Sequence, residues 1–384
     1  MMAAVDIVVV GAGTSGIIAA LTAARDGKRV ALVETSGRLG GVAIYGLHRF
    51  VCGLFASDGE AAGDPLPGPV TIDFCMRLAG GSIRQKAVRR GRVWVLPFAG
   101  GAALQACAER EISQEARIRV YRRDAVQRVS SEAGRIADVT LASGSVLRTE
   151  AVVDCTGSAA VCRLCGAEAV WPTVSALAGY GFEVEGVDEQ AAGALGLAVE
   201  VPMLLRRSTD EGRLLPHLAY TTYETGTVPG RAWVKMALPA DSTDAAKADA
   251  ATVLEALKKG LSAFRGARLR AFLPRVLPRE TCHVSGEYVL TVDDVLGGRK
   301  FADGMVRNAW PVEYWDAAKG VAYRYLPEGT WHDIPLRCLR PRQGPANLLC
   351  AGAAISAVPQ AAASIRVMGV CMALGESAAS QCLT

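Results

Sequence analysis

The chain has no run of about 18 apolar residues, so no membrane-crossing helix is expected. It also lacks a block of one charge: 42 basic and 38 acidic side chains leave a formal charge of +4. Nucleic-acid binding would need a clustered basic face, and only residues 117–128 come near one. There the arginines alternate with Ile118, Val120 and Val126, as in a strand with one solvated face. The opening MMAAVDIVVVGAG has neither a basic leader nor a cleavage site and reads as structure, not as a signal peptide. Zinc-type cysteine pairing is missing too. Cys162 and Cys165 form one C-x-x-C with no second pair at a suitable spacing, so no metal site is expected. The eleven cysteines are scattered, several within apolar segments (Cys107, Cys350, Cys371). That pattern predicts reduced thiols packed as small hydrophobes in a cytoplasmic protein.

What the chain does have is core. Apolar residues make up 51% and charged residues 21%, which excludes disorder and collagen-like repeats. Its 384 residues suit about two domains at roughly 150 residues each.

The strongest local signal lies at residues 5–34. An apolar run from Val5 to Val10 leads into Gly11-Ala12-Gly13-Thr14-Ser15-Gly16, then a helical stretch to Arg25. Gly27 ends the helix, Arg29 to Val33 is a second strand, and Glu34 closes the unit. This is a βαβ unit of about 30 residues with G-x-G-x-x-G at its first turn. Gly11 permits the sharp turn, Gly13 lets backbone approach a pyrophosphate, and Gly16 allows close helix–strand packing. The helix N-terminus offers N–H groups to phosphate. Glu34 can accept hydrogen bonds from ribose hydroxyls, and its charge disfavours a 2′-phosphate. Gly40 and Gly41, just after Arg38, suggest backbone lying close to a ligand.

Further along, Val93–Leu96 reads as a strand and Gly101–Glu111 as a helix. Residues 117–153 read as an antiparallel meander: Ile118–Tyr121, Val126–Val129, Ile136–Leu141 and Val146–Leu147. A buried strand then ends in the turn Cys155-Thr156-Gly157. Residues 172–280 carry weaker signals: a strand at Tyr180–Val187, a helix from Asp188, a strand at Arg231–Leu238 and a helix from Asp244 to Phe264. Asn347 to Gly352 is an apolar strand ending in glycine, and Ala361–Ser380 reads as one buried helix.

The N-terminal βαβ unit, the turn at 153–157 and the strand at 348–352 with its following helix together resemble the two-dinucleotide-fold FAD-dependent oxidoreductases. These include fumarate-reductase-like flavoproteins and single-component aromatic hydroxylases. The stretches Gly286–Asp294, Ile334–Leu339, Ser364–Met368 and Cys371–Gly375 look like the family named simply FAD-dependent oxidoreductase. The resemblance implies an α/β fold. A Rossmann-like FAD-binding domain with a mostly parallel sheet and an antiparallel meander would comprise residues 1–171 and 281–384. A smaller mixed substrate domain would occupy 172–280. It implies FAD as cofactor, held by Gly11, Gly13, Thr14, Ser15, Gly16, Glu34, Arg38, Gly40, Gly41, Val126, Thr156, Gly157, Gly352, Pro359, Ala362 and Ala363. Residues 359–364 would face the flavin ring, where the positive end of a helix suits charge on the reduced ring. Two departures stand out. Ala353 occupies a place where many members carry a basic residue, and Val358-Pro359-Gln360 stands where relatives often read Thr-His-Glu. The proline is closer to the aromatic hydroxylases, and the change removes a polar proton carrier.

The same resemblance puts the loop around His48 and Arg49 near the flavin, and Arg366 one turn into the last helix, as flavin or substrate contacts. These three are the catalytic candidates. A backbone-bonded loop histidine and an exposed arginine are the plain alternatives for the first two. Cys52 is the redox candidate of the same loop, without a partner at disulfide-reductase spacing. Glu287, Asp293 and Asp294 could act as bases or hold Arg299 or Arg307. His332 reads as a loop residue with a local partner, and His217 and His283 carry no signal. The expected activity is single-component monooxygenation of an electron-rich aromatic with O2 and a reductant. The aromatic could be a small molecule or a side chain held in a peptide or partner protein, such as tryptophan during maturation of a protein-derived quinone. The rivals are a dehydrogenase or oxidase taking a hydride at flavin N5, and a non-catalytic flavin-binding scaffold. Neither nucleic acid nor membrane is expected as a partner.

Overall fold

The computed structural model describes residues 2–57, 59–172, 176–226, 228–239, 242–316 and 320–382. After β1 (Met2–Ala4), the βαβ unit forms as β2 (Ile7–Val10), α1 (Thr14–Arg25) and β3 (Val30–Glu34). Ser15 through Ala24 are all buried, because this helix is apolar or small-sided on every face. Short elements follow: α2 (Val42–Tyr45), β4 (Phe50–Val51), α3 (Pro69–Ala79), α4 (Ile83–Lys86), β5 (Val88–Arg90), β6 (Val93–Pro97) and α5 (Gly101–Gln114). α3 starts on Pro69, whose missing N–H costs nothing there, and stops at Gly80 in the left-handed conformation. Next come β7 (Ile118–Arg122), β8 (Val126–Glu132), β9 (Arg135–Leu141), β10 (Val146–Arg148), β11 (Ala151–Asp154), α6 (Ala160–Leu164) and β12 (Ala169–Val170).

The middle of the chain holds β13 (Ala178–Glu185), α7 (Leu197–Asp210), β14 (Thr222–Thr225), β15 (Arg231–Leu238), α8 (Thr243–Gly260) and β16 (Arg268–Phe272). It closes with β17 (His283–Val284), α9 (Val292–Leu296), β18 (Gly304–Asn308), β19 (Val312–Asp316), β20 (Gly320–Arg324), β21 (His332–Pro335), β22 (Leu348–Cys350), α10 (Pro359–Ile365) and α11 (Met368–Cys382).

A five-stranded sheet of order β22-β11-β2-β3-β7, parallel throughout, is the centre of the molecule. Its inner strands are buried along their whole length, as continuous apolar runs covered on both faces must be. β8, β9 and β10 form the meander, joined by β1 alongside β10. The stretch 118–121, expected above as the first strand of that meander, is not part of it. It pairs with β3 and closes the parallel sheet, because a crossover through α5 delivers it there. The single helix expected over 361–380 is two, α10 and α11, bent by 89° at residues 366–367. The helix expected from Asp188 is only a 3-10 turn (Glu189–Ala191), and α7 begins at Leu197, after Gly193 and Gly196 break the chain. Among the described residues no single helix is long and apolar enough to cross a membrane; α10 and α11 pass that test only as a bent pair, and both are largely buried.

β13, β14, β15 and β16 form an antiparallel sheet whose core runs from Ala178 to Val276 and includes α7 and α8. Side chains alternate across a strand. Phe182, Val184, Val234 and Met236 therefore face the helices, while Gly181 and Lys235, paired in register, face the other way. The side chain of Leu47 packs against the bare Gly181 on that second face.

α10 is seated by a buried polar network. Asn308 Nδ2 donates to His332 Nε2 (2.9 Å) and Ser364 Oγ (2.9 Å), and Ser364 Oγ donates to the Trp310 carbonyl (2.6 Å). Asn308 Oδ1 accepts from Trp310 N (2.8 Å), which fixes the amide orientation and leaves His332 Nε2 as the acceptor. His332 is thus fully buried in β21, with a partner 24 positions away, rather than a loop residue. Its local contact is Nδ1 to the Asp333 carbonyl (3.2 Å). The acidic stretch proves structural at Asp294, which closes a capping box with Thr291 and pairs with Arg299 (2.8 Å). Arg307 donates to the Leu66 carbonyl, while Glu287 and Asp293 lie exposed.

Burial lowers the His332 pKa to about 4. The unfolded chain therefore binds more protons than the native one between about pH 6.5 and 4, and stability falls as pH falls through that window. A shift of this size corresponds to about 3 kcal/mol. Urea midpoints measured from pH 7 to 4 should decline, and His332→Gln should flatten the decline; an unchanged slope would remove His332 from the account.

Candidate active site

The nucleotide loop is built by backbone contacts that leave no room for side chains. A Cβ on Gly16 would collide with the Gly11 carbonyl, and one on Gly11 would meet the Cys155 carbonyl at 2.6 Å. Gly11 has φ +95°, accessible at low cost only to glycine. α1 starts on extended Gly13 with no side chain capping its first turn. Gly13 is the exception in the loop: a Cβ there meets nothing within 4 Å. Gly40 and Gly41 run alongside, Gly40 N donating to the Ala12 carbonyl (2.8 Å), and a Cβ on Gly41 would lie 2.9 Å from Gly13 Cα. The Glu34 carboxylate accepts from Ala12 N (2.7 Å) and Ser36 N (2.7 Å), so it sits beside the loop at the end of β3.

Other expected cofactor residues take several places. Val126 opens β8, and the turn before it is tied to β3 by Asp124 N donating to the Glu34 carbonyl (3.1 Å). Gly352, with φ +84°, lies against Ser15, whose hydroxyl reaches Cys155 Sγ (3.6 Å); Ser15 is turned into the packing. Thr156 is closed on Asp154, donating from N (3.0 Å) and Oγ1 (2.7 Å), with Gly157 next in the turn. Arg38 is exposed and donates to Gln105 Oε1 (2.9 Å). Thr14 begins α1. Pro359 begins α10, where Ala362 and Ala363 are buried.

A second group gathers where the parallel-sheet core meets the inserted sheet. His48 is open to solvent, yet protein surrounds it closely enough that burial is the main cause lowering its pKa to about 4. Lys235, Arg279 and Arg366 add to the effect by repelling a protonated ring. Tyr323 is alike: 46% exposed, but with its phenol pushed up chiefly by burial. Arg366 lies at the break between α10 and α11, not one turn into a helix. It donates from Nη2 to the Glu313 carbonyl (3.0 Å), while its buried Nε has no partner. The loop is tied down at Cys52, whose carbonyl accepts from Gly369 N (2.9 Å). Arg49 pairs with Glu224 (3.4 Å), which also binds Lys235, and donates to the Thr225 carbonyl (3.4 Å) on β14.

Sequence reading missed Arg279, Glu280, Glu313, Tyr323 and Lys235. They come from distant elements with no shared spacing, so only folding brings them together. Cys52 is pushed up to about 12 by burial, a protonated thiol rather than a reactive thiolate. All eleven cysteines are free, and no group of metal-binding side chains occurs among the described residues. A groove of about 530 Å³ between α7 and α8 lies on the helical side of the inserted sheet, away from His48.

The open space at Gly13, the uncapped helix start and the adjoining carboxylate fit a dinucleotide. Gly13 has ordinary backbone angles, so Gly13→Val should fold with near-native stability but lose FAD. Flavin absorbance per protein, read beside a thermal melt, checks this; a fully yellow variant would refute the cradle.

No curated protein matches the chain. Among solved structures, p-nitrophenol 4-monooxygenase PnpA from Pseudomonas putida DLL-E4 is 11% identical and superposes with a TM-score of 0.50, covering 94% of this chain and 76% of that one. The probable FAD-dependent monooxygenase pqsL from Pseudomonas aeruginosa is 14% identical, with a TM-score of 0.45 over 98% and 84%. OxyS anhydrotetracycline hydroxylase from Streptomyces rimosus is 15% identical, with a TM-score of 0.45 over 74% of this chain, which spans 54% of that enzyme's length. At such identities these likenesses concern the fold. The family model for FAD dependent oxidoreductases matches residues 6–383. The chain therefore belongs to the FAD-dependent oxidoreductase family, and FAD is its cofactor.

Proposed function

We propose that this protein is a flavin monooxygenase that hydroxylates an electron-rich aromatic, consuming O2 and a reductant. The observation that carries the reading is the group of cations gathered around His48: Lys235 of β15, Arg279, and Arg366 at the α10–α11 break, held there by the Glu313 carbonyl (3.0 Å). Burial and these cations keep the His48 imidazole neutral, and its neighbour Leu47 packs on Gly181 of β13. Bound FAD supplies the redox chemistry and the reaction with O2. Gly11, Gly13, Gly16, Gly40, Gly41 and Glu34 hold its nucleotide half. Residues 172–280 form the substrate-facing unit.

His48, unprotonated at neutral pH, accepts a hydrogen bond from a substrate hydroxyl and so orients the ring. Tyr323 offers an apolar face with a hydroxyl at its tip. The fold likeness to a p-nitrophenol 4-monooxygenase and the proline at the start of α10 support the aromatic class. The substrate is a small molecule or, as the second form, a peptide-held side chain such as tryptophan in quinone maturation. Eleven free cysteines support a reducing, cytoplasmic setting.

Turnover under ¹⁸O₂ decides the reaction type. Label in the product is expected, whereas unlabelled product with peroxide would make the protein an oxidase. His48→Ala should keep FAD at full occupancy and lower kcat by about 10²-fold, the scale of a positioned proton-handling group. Unchanged rates would return His48 to a structural role.

A further inference from the structure

We propose that Arg279 and Arg366 together bind the carboxylate of an aromatic acid, which names the substrate class of the monooxygenase reading and rests on it. The two guanidiniums arrive from different parts of the chain and meet on one strand. Arg366 holds the Glu313 carbonyl of β19 (3.0 Å), and Arg279 lies over the Trp315 ring at 3.8 Å, two residues along the same strand. Glu313 and Trp315 share a face, their side chains joined by Trp315 Nε1 donating to Glu313 Oε1 (2.9 Å).

Neither arginine forms an ion pair among the described residues. Arg279 donates to the Leu177 carbonyl and Arg366 to the Glu313 carbonyl. A guanidinium carries five donors, so most of each fork is uncommitted, and Arg366 Nε is buried without a partner. Burial, then repulsion from Arg366, lowers the Arg279 pKa to about 9, and burial lowers that of Arg366. Two carboxyls lie in the same region. The Glu313 carboxylate is turned to Trp315, and Glu280 accepts from Ala176 N (3.1 Å) while burial pushes its carboxyl up. Both act on Arg366 only from beyond ion-pair distance. Lys235 is already paired with Glu224. Two half-buried cations without a close counter-charge are costly unless the occupant brings one. A planar carboxylate matches guanidinium geometry, and His48 and Tyr323 both lie within the electrostatic reach of Arg366.

Benzoate and its neutral isostere benzamide test the site, with binding followed by calorimetry on the FAD-loaded protein and flavin content read separately. Benzoate should bind about ten- to a hundredfold more tightly, the scale of charged hydrogen bonds. The ratio should fall to near one in Arg279→Gln and in Arg366→Gln, with partial recovery in Arg279→Lys. Equal affinities in the native protein overturn the proposal, as does a preference that survives both glutamine substitutions. Loss of FAD in the glutamine variants while benzoate and benzamide stay equivalent gives the arginines to the flavin, and overturns it too. The monooxygenase reading stands or falls separately, on ¹⁸O incorporation.

Discussion

Close backbone approach around α1 is the constraint on which the rest depends. Gly16 brings the helix onto the Gly11 carbonyl, and on the other side Gly375 of α11 lies so near the Ser15 carbonyl that a Cβ would collide with it. Any larger residue at either place would separate the layers and leave a gap with no compensating contacts. α1 is thereby clamped between the parallel sheet and the last helix. That clamp aims the helix start at the space beside Gly13 and sets where α11 begins. Cys52 and Gly369 are bonded to each other, so the His48 loop inherits its position from the same packing.

The second feature is electrostatic. His48, Arg279 and Arg366 are grouped where two hydrophobic cores meet, and burial works against charge on all three. In water such groups would be screened and independent; here both arginines disfavour a proton on His48, and Arg366 disfavours the charge on Arg279. An anion entering there would favour protonation of the imidazole and restore the guanidiniums, so ligand binding and proton affinity at His48 are coupled. The break between α10 and α11 matters here, since it turns Arg366 toward β19 instead of along a continuous helix.

Legibility in the sequence follows the range of the interactions. The G-x-G-x-x-G turn, the acid at Glu34 and the glycines at 40 and 41 were readable because their geometry is local, within one βαβ unit and the segment beyond it. The strand at 118–121 was misassigned because a half-buried edge strand has the same alternation in a parallel sheet as in a meander. The 89° break was hidden because Ile365, Val367 and Met368 continue an apolar pattern across it. His332 looked like a loop residue because Asn308 and Ser364, its buried network, are far away in the chain.

From its own residues the chain determined the parallel α/β frame, the nucleotide turn and a cofactor class, since hydrophobic period and glycine placement act over a few residues. Tertiary structure alone decided which side chains gather around His48. It paired Arg49 with Glu224, brought Arg366 beside Glu313, and added Arg279 from a region without a readable motif. Contacts between distant segments depend on how whole layers pack, and no spacing along the chain encodes them.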